Sequence, residues 1–277
     1  MTQISLPPLP LADWQPTRDT LHIYTQLLGK IRGALSPAQK HWWHISLHTT
    51  AVGLTTTPIP ANDGSRTFEL VLDLTRHQLS LSTSRGETAV IPLIGQSAAL
   101  FYAETTAVLH GWGIDPAIDP AKFADETERV YERTAVAAYW QATAQIDSVL
   151  KEFKAGLRQE TSSVQLWPHH FDLAMVWLSG RLVPGQDPAN PDYADEQMNF
   201  GFVTGDDNVP QPYFYATAYP RPEAFTQAAL PDDAYWHTKG WTGALLPYVA
   251  LVGADQATEK LLHFFRAAHR AGSDLMK

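Results

Sequence analysis

The chain has 277 residues, a formal net charge of −9, 44% hydrophobic residues, nine Trp and no Cys. That length and apolar content suffice to bury the core of one large domain or two ordinary ones. An acidic chain without a Lys/Arg run argues against a nucleic-acid partner, and the absence of Cys excludes disulfides, thiolate catalysis and zinc–thiolate sites.

The leading stretch "MTQISLPPLPLADW" lacks the charged and apolar regions of a signal peptide, and no run is long and apolar enough for a membrane span. Together these point to a cytoplasmic protein without a membrane partner. Residues 17–35 form the first predicted helix: Leu21, Tyr24, Leu28, Ile31 and Leu35 recur on one face. Thr17 is the expected N-cap. Asp19, His22, Gln26 and Lys30 share the opposite stripe, which reads either as a solvated face or, if something covers it, as a ligand surface.

Strand signals follow. In "HWWHISLH" (41–48) three His and two Trp occur in eight residues. Read as a strand, it turns His41, Trp43, Ile45 and Leu47 to the core and Trp42, His44, Ser46 and His48 to the other face. His44 and His48 would then stand about 13 Å apart, too far for one metal ion. "TFELVLDL", "HQLSLST" and "TAVIPL" complete the set, with turns at "NDGS" and "SRG". A helix is expected over 97–110, closed by "GWG".

Residues 115–133 are rich in Pro and acidic side chains at first and read as a connector. A helix is expected over 135–157. Strand signals return at "SSVQLWPHHFDLAMVWLSG", "MNFGFVTG", "PYFYATAYP" and "WTGALLPY", with a long Pro/Asp loop between the first two. In the first of these, Phe171, Leu173, Met175 and Trp177 form the apolar face. His170 and Asp172 share the other, about 6.6 Å apart along the strand. They could join His44 around a metal, or Asp172 could orient His170 as a base. His169 points with the core. A last helix over 255–271 turns Leu261, Leu262, Phe265 and Ala268 to one face.

The expected fold class is α+β, with antiparallel sheets flanked by helices. The order helix, strands, helix occurs twice, at 14–114 and 134–273 with 115–133 between them. It fits either an internal duplication within one 1–277 unit or chance agreement of alternating strands. No Walker loop, EF-hand, nucleophile elbow or GxGxxG is present.

The segments "TRDTLH" (17–22), "TQLLGK" (25–30), "HWWH" (41–44), "GLTTTPIP" (53–60), "TFE" (67–69), "FDLA" (171–174), "PQPYFYATAYP" (210–220) and "LLPY" (245–248) resemble a bacterial family known as a domain of unknown function. The resemblance spans both halves. It implies no activity, cofactor or catalytic residue. Asp172, His41, His44 and the Asp19 stripe fit the family pattern, whereas His169-His170 departs from it.

The leading functional expectation is a small-molecule binder whose aromatic and His-lined cleft uses Trp42, His44, Asp172, Tyr213 and Tyr215, with Asp19 and His22 as further candidates. The alternatives are a metal-dependent hydrolytic or oxidative enzyme using His44, His170 and Asp172, and a homodimeric interaction scaffold. The cofactor, if one is used, is not specified by any motif.

Overall fold

The computed structural model describes residues 3–276. Two units emerge from the packing. The N-terminal unit comprises Trp14–Trp140 and Leu166–Phe171; the C-terminal unit comprises Met1–Asp13, Gln141–Gln165 and Asp172–Lys277.

Helix α1, Leu11–Leu35, begins six residues before the expected start. Pro16 lies inside it, although a proline removes a backbone donor and ordinarily marks a helix boundary. Thr17 is therefore not a cap. It is buried within the helix, and its hydroxyl oxygen accepts from the Glu132 N–H at 3.0 Å. The expected face is buried at Leu21, Tyr24, Leu28 and Ile31, with Leu27 beside them. Tyr24 stacks on Phe101, ring centroids 3.9 Å apart, and donates its hydroxyl to the Gln96 carbonyl at 2.9 Å.

The N-terminal sheet is antiparallel. Its strands are β1 (His48–Thr49), β2 (Gly53–Thr55), β3 (Ile59–Pro60), β4 (Thr67–Asp73), β5 (Gln78–Thr83) and β6 (Thr88–Pro92), in the order β1-β2-β4-β5-β6 with β3 on β4. The alternation in "HQLSLST" sets the register: Leu70 faces Leu81 and Leu72 faces Leu79, all four buried. Helix α2, Ala98–Gly111, is capped by the Ser97 hydroxyl, which accepts from the Leu100 N–H at 3.1 Å. The connector carries a short 3-10 turn, Pro120–Phe123, and leads into α3, Arg133–Ala155.

The C-terminal sheet holds β7 (Gln165–Trp167), β8 (Asp172–Leu182), β9 (Asp195–Val203), β10 (Tyr213–Tyr219), β11 (Tyr235–His237) and β12 (Gly243–Pro247), in the order β11-β12-β10-β9-β8-β7. Helix α4, Ala257–Ser273, buries Leu261, Leu262, Phe265 and Ala268 as its periodicity requires. Phe153 of α3, Phe200 of β9 and Phe265 of α4 meet with ring centroids 4.9 to 6.1 Å apart, an aromatic centre for this unit. The "PPLP" arm is ordered within the same unit: the Tyr248 hydroxyl donates to the Pro7 carbonyl, and Ile4, Leu6 and Leu9 are buried. The chain is thus α+β with two antiparallel sheets. Among the described residues no helix is long and apolar enough to cross a membrane.

Two local expectations fail. Residues 40–45 are not a strand but a 3-10 turn, and His41 and Trp42 within it adopt left-handed backbone angles, φ 52° and 56°. The strand-face assignment fails with it: His44 is buried and Ile45 only half-buried. Residues 168–171 likewise form a turn, with Phe171 left-handed at φ 57°, so β8 begins only at Asp172. His170 therefore precedes the strand and belongs to the other unit, and the two-residue spacing on a strand face does not apply. His169, expected in the core, is exposed.

Candidate functional site

The N-terminal unit contains a cleft of about 530 Å³, built from three segments against α1. Helix α1 supplies Gln26, Gly29, Lys30 and Gly33. The 40–45 turn supplies Trp42, His44 and Ile45. The connector supplies Ile118, Asp119, Lys122 and Phe123, and the 168–171 turn adds Pro168 and His169.

Two glycines allow these walls to approach the helix. A Cβ on Gly29 would lie 2.7 Å from Pro168 Cγ and 3.2 Å from the Ile45 carbonyl oxygen; one on Gly33 would lie 2.9 Å from Ile45 Cγ2. Real Cβ atoms essentially never come within 3.0 Å of another heavy atom, so the pair one helical turn apart marks the contact line.

The His/Trp turn is fixed from both ends. Arg32 is buried on α1 and donates through Nη1 to the Trp43 carbonyl at 3.0 Å and to the Ser46 carbonyl. Leu47 and Leu166 exchange backbone hydrogen bonds at 2.9 and 2.7 Å, which brings the 168–171 turn alongside. His22 closes that turn from α1, its Nε2 2.9 Å from the Pro168 carbonyl, with its ring against Phe171 at 5.4 Å. In the neutral ring this pairing puts the proton on Nε2.

Within this frame Trp42 is 44% exposed and stacks on His44, centroids 5.6 Å apart and planes inclined by 27°. Burial, and then the Arg32 guanidinium, lower the His44 pKa, so its imidazole is neutral near pH 7. Its Nδ1 accepts from the Gln39 N–H at 3.2 Å, which leaves the proton on Nε2. Across the cleft the His169 imidazole is pushed down to about 4 by desolvation and by neighbouring His170, His22 and Lys30, although the residue as a whole is exposed.

The other candidates lie elsewhere. Asp19 pairs with Arg18 at 2.9 Å, and His22 has the turn-closing role above; neither lines the cleft. The lower half of the same helix stripe, Gln26 and Lys30, does line it. Asp172, Tyr213 and Tyr215 gather in the C-terminal unit. Tyr215 donates its hydroxyl to Asp172 Oδ2 at 2.5 Å, and Tyr213 donates to Asp206 Oδ2 at the same distance. Asp172 of β8 and Tyr213 of β10 both stand opposite Val203, on the two strands that flank β9. Gly201 makes room for the Tyr215 ring, since a Cβ there would lie 2.7 Å from it. Burial first, then Asp172, raise the Tyr215 phenol pKa, so this pair is a neutral donor held by a carboxylate.

His44 and Asp172 thus belong to different units. Among the described residues no three His, Cys, Asp or Glu side chains come together in a way that could hold a metal ion. Sequence reasoning missed Gly29, Gly33, Asp119, Lys122 and Phe123 as parts of the cleft. The two glycines carried a legible signal, four residues apart inside an otherwise strong helix. The connector residues carried none.

The family model for DUF5996, described as a family of unknown function, matches residues 6–277, and the chain belongs to that family. No curated protein and no solved structure matches it significantly.

Proposed function

We propose that the chain binds a small molecule in the cleft of its N-terminal unit. One observation carries this reading: two unfavourable features coincide at Trp42. Its left-handed backbone costs on the order of 1–3 kcal/mol in a residue other than glycine. The residue is left 44% exposed, although full burial of a large apolar side chain is worth about 1.5–3 kcal/mol. A cleft of about 530 Å³ beside it falls in the range of about 300–1,000 Å³ that holds small organic ligands. The stacked His44 imidazole adds a neutral N–H donor, and Ile118, Phe123 and Pro168 add apolar wall.

The test is a ligand-observed NMR screen of aromatic fragments on the wild-type chain and on Trp42→Ala. The expected result is a set of fragments whose binding signals disappear in Trp42→Ala while its far-UV spectrum stays unchanged. A screen with no binders, or with binders indifferent to Trp42, overturns the proposal.

A further inference from the structure

Resting on the reading of this cleft as a ligand site, we infer that its ligand is a planar apolar body bearing one carboxylate group, with the ring against Trp42 and the carboxylate between Lys30 and Lys122. The chain as a whole carries −9, yet the residues that line the cleft include two lysines, Lys30 and Lys122, against one carboxylate, Asp119. That carboxylate already serves the turn it opens: Asp119 Oδ1 accepts from the Ala121 N–H at 3.0 Å. Among the described residues neither Lys30 nor Lys122 has a carboxylate within 4.0 Å.

The two lysines approach from different elements, α1 and the connector turn. Like charges facing one cleft raise each other's free energy, and a single anion between them relieves both. The remaining lining is suited to the rest of such a molecule. Trp42 offers an exposed ring and Phe123 apolar wall, and His44 carries a neutral N–H. Among the described residues no Arg lines the cleft, and the planar fork that favours phosphate recognition is absent from that lining. The chemistry therefore suits a compact monoanion held by point charges.

Isothermal titration with four probes tests the assignment: 2-naphthoate, 2-naphthamide, 2-naphthylmethylamine and 2-naphthyl phosphate. Naphthoate is expected to bind about fivefold to tenfold more tightly than the amide, the effect of one partly solvated charge, and the amine more weakly still. Lys30→Gln and Lys122→Gln, both at exposed positions, should each reduce the advantage of naphthoate over the amide. Raising the ionic strength from about 0.02 to about 0.5 M should reduce it too. Equal binding of naphthoate and amide, both abolished in Trp42→Ala, overturns the anion assignment and leaves the ligand cleft standing. Naphthyl phosphate binding markedly more tightly than naphthoate overturns the carboxylate assignment. No binding by any probe, together with an empty fragment screen, overturns both readings.

Discussion

Gly29 offers the sharpest test of how the cleft is built. Replacing it by Ala gains helix propensity of about 1 kcal/mol, since Gly is the poorest ordinary residue in a helix interior. Against this, the new Cβ would lie 2.7 and 2.9 Å from the Pro168 ring and 3.2 Å from the Ile45 carbonyl oxygen. Neither neighbour is the free end of a flexible side chain. The proline ring is rigid, and its turn is held by the Leu47–Leu166 bridge and by His22. Overpacking of that kind costs about 1–3 kcal/mol, so Gly29→Ala should destabilise by roughly 0–2 kcal/mol net. Gly111, at the end of α2, is the internal control. A Cβ there meets nothing within 4 Å, so Gly111→Ala should be neutral or stabilise by up to about 1 kcal/mol. Urea unfolding of both variants beside the wild type decides the matter. The reasoning is refuted if Gly29→Ala is more stable than the wild type by about 1 kcal/mol, the gain expected of an unobstructed helix site, because the close approach of Pro168 to α1 would then be absent.

Arg32→Met leaves the Trp43 and Ser46 carbonyls without their buried donor and should cost about 2–3 kcal/mol in the same assay; a loss under about 0.5 kcal/mol would contradict the pinning role. Tyr215→Phe removes the hydroxyl that Asp172 accepts and should cost about 1.5–3 kcal/mol, a hydrogen bond to a charged group, without altering fragment binding in the other unit. Acidification should weaken the fold before carboxylates protonate. His22, His44 and His169 have folded-state pKa values below 6.5, His169 at about 4, so the unfolded chain takes up protons first. The stability they contribute is whole above about pH 6.5 and falls as pH drops toward the folded values. Urea midpoints measured from pH 7.5 to 5 should decline, and less steeply in His169→Gln; a flat profile would show that these imidazoles titrate normally.

Elements with strong periodicity were legible. Leu79 and Leu81 alternate with Ser80 and Ser82, and the β4–β5 register follows from them. Leu261, Leu262, Phe265 and Ala268 fixed the buried face of α4. The turns were not legible, because their conformations break local preference. Trp42 and Phe171 are aromatic residues of the kind enriched in strands, yet each takes a left-handed φ that favours Gly or Asn. Contacts distant in sequence help to hold them there: Arg32 from α1 for the first turn, and His22 with Phe171 for the second. Pro16 is the opposite case, a local boundary signal through which α1 continues.

The same conflict between local preference and tertiary restraint locates the site. Trp42 would relieve its backbone strain by relaxing into the strand that its neighbours' residue types suggest. The buried Arg32 and the Leu47–Leu166 bridge prevent this. The side chain they hold out rests on His44 at the mouth of a cleft whose two lysines have no carboxylate partner among the described residues. A stability requirement alone would favour neither the strained tryptophan nor the unpaired cations. Their coincidence on one cleft, in a unit whose sheet core is otherwise regular, is what a ligand of opposite charge and matching flat surface would resolve.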